Sequence, residues 1–142
     1  MAILDERRAL DIINPEGLYD PSSYGYSHVA ALKRGFRLVA IAGQGGETAE
    51  GGLTGDFRMQ MRQTLKNLAI AVKSAGGTLN DVMKQTILIV NHSEEKLHIM
   101  VEEFELAYGA GAKPPCTLIP VPRLALDGML VEIDAWAAVP AD

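Results

Sequence analysis

Apolar residues recur every three or four positions along two stretches of the chain and follow shorter, strand-like runs elsewhere, and the two periods separate helices from strands. Phe57, Met61, Leu65, Leu68 and Val72 form one helical stripe, which predicts a helix over Thr54 to Ala75 stopped by Gly76-Gly77. Thr78 to Asp81 has capping character and adds one turn. Leu97, Met100, Val101, Phe104 and Tyr108 form the second stripe, with Ser93 as N-cap, Glu94 and Glu95 in the first turn, and an end near Gly109 and Gly111. Tyr26 to Leu32 and Phe36 to Ala42 flank Lys33-Arg34-Gly35 as a hairpin would. Met83 to Val90 is short and rich in β-branched residues, and reads as a third strand. Thr117 to Val121 reads as a fourth, with Pro120 and Pro122 marking an unpaired edge or a bulge. Asp127-Gly128 reads as a hairpin turn leading into a last strand, Met129 to Ala137.

The resulting order is ββαβαββ, an α+β fold with two helices across one face of a sheet. Residues 22–142 form the domain. Residues 1–21, with Pro15, Gly17 and Pro21, read as an N-terminal arm carrying one short helix over Leu4 to Ile12. The last strand is apolar on both alternations, with Met129, Val131 and Ile133 against Leu130 and Trp136. A sheet apolar on both sides needs a second cover, and another copy of the chain supplies it. A homo-oligomer is therefore expected.

Composition narrows the function classes. The 142 residues are 48% hydrophobic and 22% charged, ordinary for one globular domain. Lys and Arg number 13 against 18 Asp and Glu, a formal charge of −5, which argues against a nucleic-acid partner, since such binding rests on cations neutralising phosphates. The apolar runs fall short of a membrane span, and the start lacks a leader pattern, so a cytoplasmic protein with no membrane partner is expected. One cysteine, Cys116, excludes an internal disulfide and a cysteine-based zinc cage. His28, His92 and His98 fall in no metal-ligand spacing, so no metal is expected.

Candidate chemistry is sparse. Gly43-Gln44-Gly45-Gly46 lacks the Lys-Ser/Thr of a phosphate loop, and reads as a flexible strand-end loop or a substrate-lining turn. Glu132 and Asp134, two apart on a strand, share one face, either as solvated or ion-paired acids or as a general acid or base in a subunit cleft. Cys116 is either a small buried apolar residue or a nucleophile, and no base or cation adjoins it in sequence. Arg37 and Arg123 suit surface ion pairs or the forked binding of a carboxylate ligand.

Several segments together resemble the RidA/YjgF family of reactive-intermediate deaminases, in order and spacing. They are Tyr24-Gly25-Tyr26-Ser27-His28, Ala42-Gly43-Gln44, Gln63 to Leu68, Ala75 to Val82, and Pro114 to Ala137 with its Arg123-Leu124 and Leu130 to Ala135. The match covers about residues 22–138. The resemblance implies a chorismate-mutase-like fold, a homotrimer with sheets facing inward as a barrel, and small-metabolite clefts between subunits. It implies hydrolysis of enamines or imines without a cofactor, or of amino-dienoates such as 2-aminomuconate. It places Glu132 as the water-positioning carboxylate and Tyr26 as the cleft tyrosine, with Gly43, Gln44 and Thr117 beside the substrate. The family's substrate-holding arginine falls on Cys116, leaving Arg37 or Arg123 to supply a cation. The same resemblance admits a non-catalytic binding trimer, and a ribonuclease or translation inhibitor that the acidic balance disfavours.

Overall fold

The computed structural model describes residues 9–141. Eight regular elements follow one another: β1 (Leu10–Ile13), β2 (Val29–Leu32), β3 (Phe36–Gln44), α1 (Phe57–Ser74), β4 (Val82–Val90), α2 (Glu94–Tyr108), β5 (Cys116–Val121) and β6 (Val131–Pro140). From β2 onward this is the expected ββαβαββ order. One strand precedes it.

α1 starts three residues after the expected Thr54, whereas α2 starts directly after its expected cap, Ser93. Asp56 caps α1 by accepting the Met59 amide at 2.8 Å, a contact of about 1 kcal/mol. The α1 terminus closes through Gly76, at φ +94°, a region that favours glycine. At Gly77 a Cβ would come within 2.6 Å of the Val139 side chain, so the absent side chain lets the chain pass close to the sheet. Thr78 and Asp81 form a capping box around a single 3-10 turn, and Ser93 caps α2 by accepting the Lys96 amide.

The main sheet runs β3-β6-β4-β5, antiparallel except for the β4–β5 pair. β5 is an edge strand, which is how Pro120 is tolerated. Val131, Ile133, Ala135, Ala137 and Val139 of β6 bury beneath the helices, packed with Leu68, Met100 and Phe104. Truncating a fully buried leucine such as Leu68 to alanine costs about 2–5 kcal/mol. Glu132, Asp134 and Trp136 alternate onto the opposite face. There Leu38, Ile119 and Trp136 remain 54%, 43% and 48% exposed.

Three expectations change. The segment expected as a helix over Leu4 to Ile12 lies partly outside the described residues, and Leu10–Ile13 is a strand paired with β2 in register Leu10↔Leu32 to Ile13↔Val29. β2 therefore makes its ladder with the arm rather than a hairpin with β3, although Gly35 does turn the chain at φ +84°. A period-two pattern identifies a strand without naming its partner. Asp127-Gly128 also turns, with Gly128 at φ +85°, but β4 lies between β5 and β6, so the turn closes a longer connection rather than a hairpin. Ala9 and Leu10 bury against Ala138, so the arm covers one end of the second sheet face.

Candidate functional site

Glu132 is the second residue of β6 and sits on the uncovered face, opposite Leu88 of β4. On its other side β3 bulges between Ile41 and Gln44, and Gly43 lies against the Glu132 side chain. The carboxylate is half-buried and, among the described residues, makes no hydrogen bond or ion pair. Gln44 turns back on itself, donating from Nε2 to the Ala42 carbonyl at 3.0 Å. Asp134, two residues along the same face, is exposed.

Two amides on α1 hold the loops around this carboxylate, and the sequence reading passed over both. Gln60, fully buried, donates to the Thr54 and Gly128 carbonyls at 2.6 and 2.8 Å and accepts the Leu130 amide at 2.8 Å. Asn67 donates to the Gly45 and Glu47 carbonyls at 2.9 and 2.8 Å. These bonds fasten the glycine-rich loop after β3 and the approach to β6. The available signal was two carboxamides seven residues apart, hence on one side of a helix, at the border of its apolar stripe.

Tyr26 and Cys116 meet elsewhere. With Tyr24, Leu97, Met100 and Leu118 they line a pocket of about 210 Å³ between the segment before β2, helix α2 and the edge strand β5. The Tyr19 and Tyr26 hydroxyls are hydrogen-bonded, and His28 packs edge-on to both rings while its Nε2 contacts the Tyr19 carbonyl at 2.8 Å. Partial burial and the Tyr19 hydrogen bond push the Tyr26 phenol up to about 12. Burial pushes the Cys116 thiol up to about 11, against the opposing pull of Lys84. Near neutral pH both groups keep their protons, so Tyr26 acts as a hydrogen-bond partner and Cys116 is a poor nucleophile.

The remaining candidates disperse. Thr117 lies on the uncovered face, where its hydroxyl accepts from Lys84 Nζ at 2.8 Å. Arg37 Nη2 donates to the Ala75 carbonyl at 2.9 Å, tying β3 to the end of α1. Arg123 donates to the Leu124 carbonyl and pairs with Asp127 at 3.0 Å. Among the described residues no three His, Cys, Asp or Glu side chains gather as metal ligands, and no helix is long and apolar enough to cross a membrane.

Strand register separates the two loci. Cys116 stands in the row Cys116–Gln85–Ala135 on the helix-covered face, while Glu132 stands in the row Ile119–Leu88–Glu132 on the other. Three residues of β5, roughly 10 Å, further offset the rows. A site that uses both is not assembled on one surface of a single copy.

A mixed sheet with two helices on one face, and a half-buried carboxylate on the other, defines an α+β protein of the YjgF type. The family model described as endoribonuclease L-PSP matches residues 20–139. A RutC family protein of Pyrococcus horikoshii is 33% identical over 109 residues, covering 75% of this chain and 82% of its own. Among solved structures, YyfB of Yersinia pestis, described as a protein of unknown function in the conserved Rid family, superposes with a TM-score of 0.87 at 32% identity, covering 92% of this chain and 99% of its own. A member of the YjgF/YER057c/UK114 family from Mycobacterium tuberculosis gives 0.61 at 28% identity, over 92% and 99%. The chain belongs to the RidA/YjgF family.

Proposed function

We propose that this chain is a hydrolytic deaminase of small enamines or imines, amino-dienoates of the 2-aminomuconate kind included, acting as a homotrimer with its sites in the clefts between copies. The observation that carries the reading is the Glu132 carboxylate, half-buried against Gly43 without an ion pair or hydrogen bond among the described residues. Burying a carboxylate without a partner is unfavourable, and a water to orient gives it one. In this mechanism Glu132 accepts a proton as water adds through oxygen to the C=N carbon, and the nitrogen gains a proton. The carbinolamine then breaks its C–N bond, leaving a carbonyl compound and ammonia. Tyr26, protonated throughout the neutral range, hydrogen-bonds the substrate, while Cys116 shapes the pocket, and Gly43, Gln44 and Thr117 line the cleft. Because Glu132 and Cys116 lie on opposite faces of the sheet, the cleft draws on two copies. The uncovered face with Leu38, Ile119 and Trp136 is the surface through which they associate.

Purified protein is assayed with freshly generated imines of several amino acids and with 2-aminomuconate. Turnover above buffer, falling on the order of 10²-fold or more in Glu132→Gln at unchanged melting temperature, supports the reading. No rate above buffer for any of them overturns it.

A second reading, a trimer that binds a metabolite without turning it over, is favoured by the neutral thiol at Cys116. A ligand that raises the melting temperature yet is recovered unchanged would identify it. The formal charge of −5 weighs against RNA as substrate.

A further inference from the structure

We propose that the Cys116 pocket accepts an uncharged, largely apolar group, so that the preferred substrates are imines or enamines carrying no carboxylate on the end held there. This rests on the deaminase reading above and names its substrate class.

The pocket wall explains the preference. Leu97, Met100 and Leu118 are aliphatic or thioether side chains, Tyr24 and Tyr26 present aromatic rings, and Cys116 supplies a thiol. None is a cation. Lys84, Lys96 and the two candidate arginines are engaged elsewhere. Lys84 bonds Thr117 on the far face of the sheet, and Lys96 donates to the Val90 carbonyl at 2.7 Å and lies over the Phe57 ring. Arg37 and Arg123 hold the contacts already described.

Tyr26 also borders a second, more polar compartment of about 410 Å³, with Asn14, Ser22, Ser27, Glu105 and Lys113 among its walls. Its one cation is neutralised: Lys113 pairs with Glu105 at 2.8 Å and donates to the Gly109 and Gly111 carbonyls. A carboxylate entering the Cys116 pocket would shed its water and gain no countercharge from the described residues of the same copy, whereas a neutral alkyl group loses nothing by the same move. The thiol keeps its proton until about pH 11, so it adds no charge of its own.

The test compares two product-like ligands that share an isobutyl group, methyl isobutyl ketone and the α-keto acid of leucine. Affinity is measured by calorimetry, and occupancy by protection of Cys116, the only cysteine, from methyl methanethiosulfonate. The ketone is expected to bind about tenfold or more tightly than the keto acid and to slow thiol modification. Cys116→Arg is expected to invert the order, and the wild-type comparison stands alone if that variant fails to fold. Equal or tighter binding of the keto acid, or no protection by either ligand, overturns the proposal. Imine turnover is scored separately. Hydrolysis with keto-acid preference sinks this inference and leaves the deaminase reading standing. Ketone preference without hydrolysis of any imine sinks the deaminase reading and the substrate claim, and leaves the pocket's preference.

Discussion

Gly43 lies directly against the Glu132 carboxylate: a Cβ at position 43 would come within 2.6 Å of the carboxyl carbon. Gly43 is not in the positive-φ region, so the requirement for glycine here is one of space alone. Gly43→Ala must displace the carboxylate or the bulge that carries residue 43. The expected loss of stability is about 1–3 kcal/mol by urea denaturation. Imine hydrolysis should fall further than that loss explains, since a misplacement of about 1 Å can cost 10²-fold. Unchanged kinetics in the variant would remove Glu132 from the site.

Trp136 is the sole tryptophan, placed between Ala40 and Lys84 on the uncovered face and 48% exposed in a single copy. If that face is the trimer seam, sedimentation of the wild type gives about three times the 15.3 kDa chain mass, with blue-shifted Trp136 emission. Trp136→Gln keeps the helix-side core and weakens the seam, lowering the assembled fraction at micromolar concentration.

The raised Cys116 and Tyr26 groups predict alkaline sensitivity. Cys116 ionises near 9.0 when unfolded and about 11 when folded, and Tyr26 near 10.0 and about 12. Between those values the folded state binds more protons than the unfolded one, so stability falls as pH rises. The stabilising difference is intact below about pH 9 and is lost as pH climbs through 11 to 12. Melting temperature should therefore decline across that window, and less steeply in Cys116→Ala.

Glu103 shows the opposite sign. It is 2% exposed and takes hydrogen bonds from Arg62 at 2.8 and 3.0 Å and from Arg58 at 3.1 Å, joining α1 to α2. The Arg62 hydrogen bonds lead in holding its carboxyl below the ordinary 4.5, with Arg58 adding to them against burial. That stability is present above pH 4.5 and is lost as pH falls through the lowered folded value. Because both guanidiniums are partly exposed, Glu103→Gln is expected to lose only about 1–2 kcal/mol near neutral pH. Urea denaturation should show that deficit shrinking in acid.

The helices were legible because each carries its own instructions: Phe57 to Val72 keeps one stripe, and Ser93 and Gly109 mark the ends of α2 through local bonds. The strand at Leu10–Ile13 was not, since four residues hold too few alternations to outweigh the charge and turn residues around them. The acid pair on one face was readable from a spacing of two. Gln60 and Asn67 were passed over because their partners lie on loops distant in sequence.

The sequence by itself determined the element order from β2 onward, the α+β class, the family and the shared face of Glu132 and Asp134, because periodicity and capping act over a few residues. Only the tertiary structure decided that Leu10–Ile13 pairs with β2, that β4 separates β5 from β6, and that Tyr26 and Cys116 share a pocket apart from Glu132. Pairing partners and pocket walls are set by competition among segments far apart in the chain, which no local pattern records.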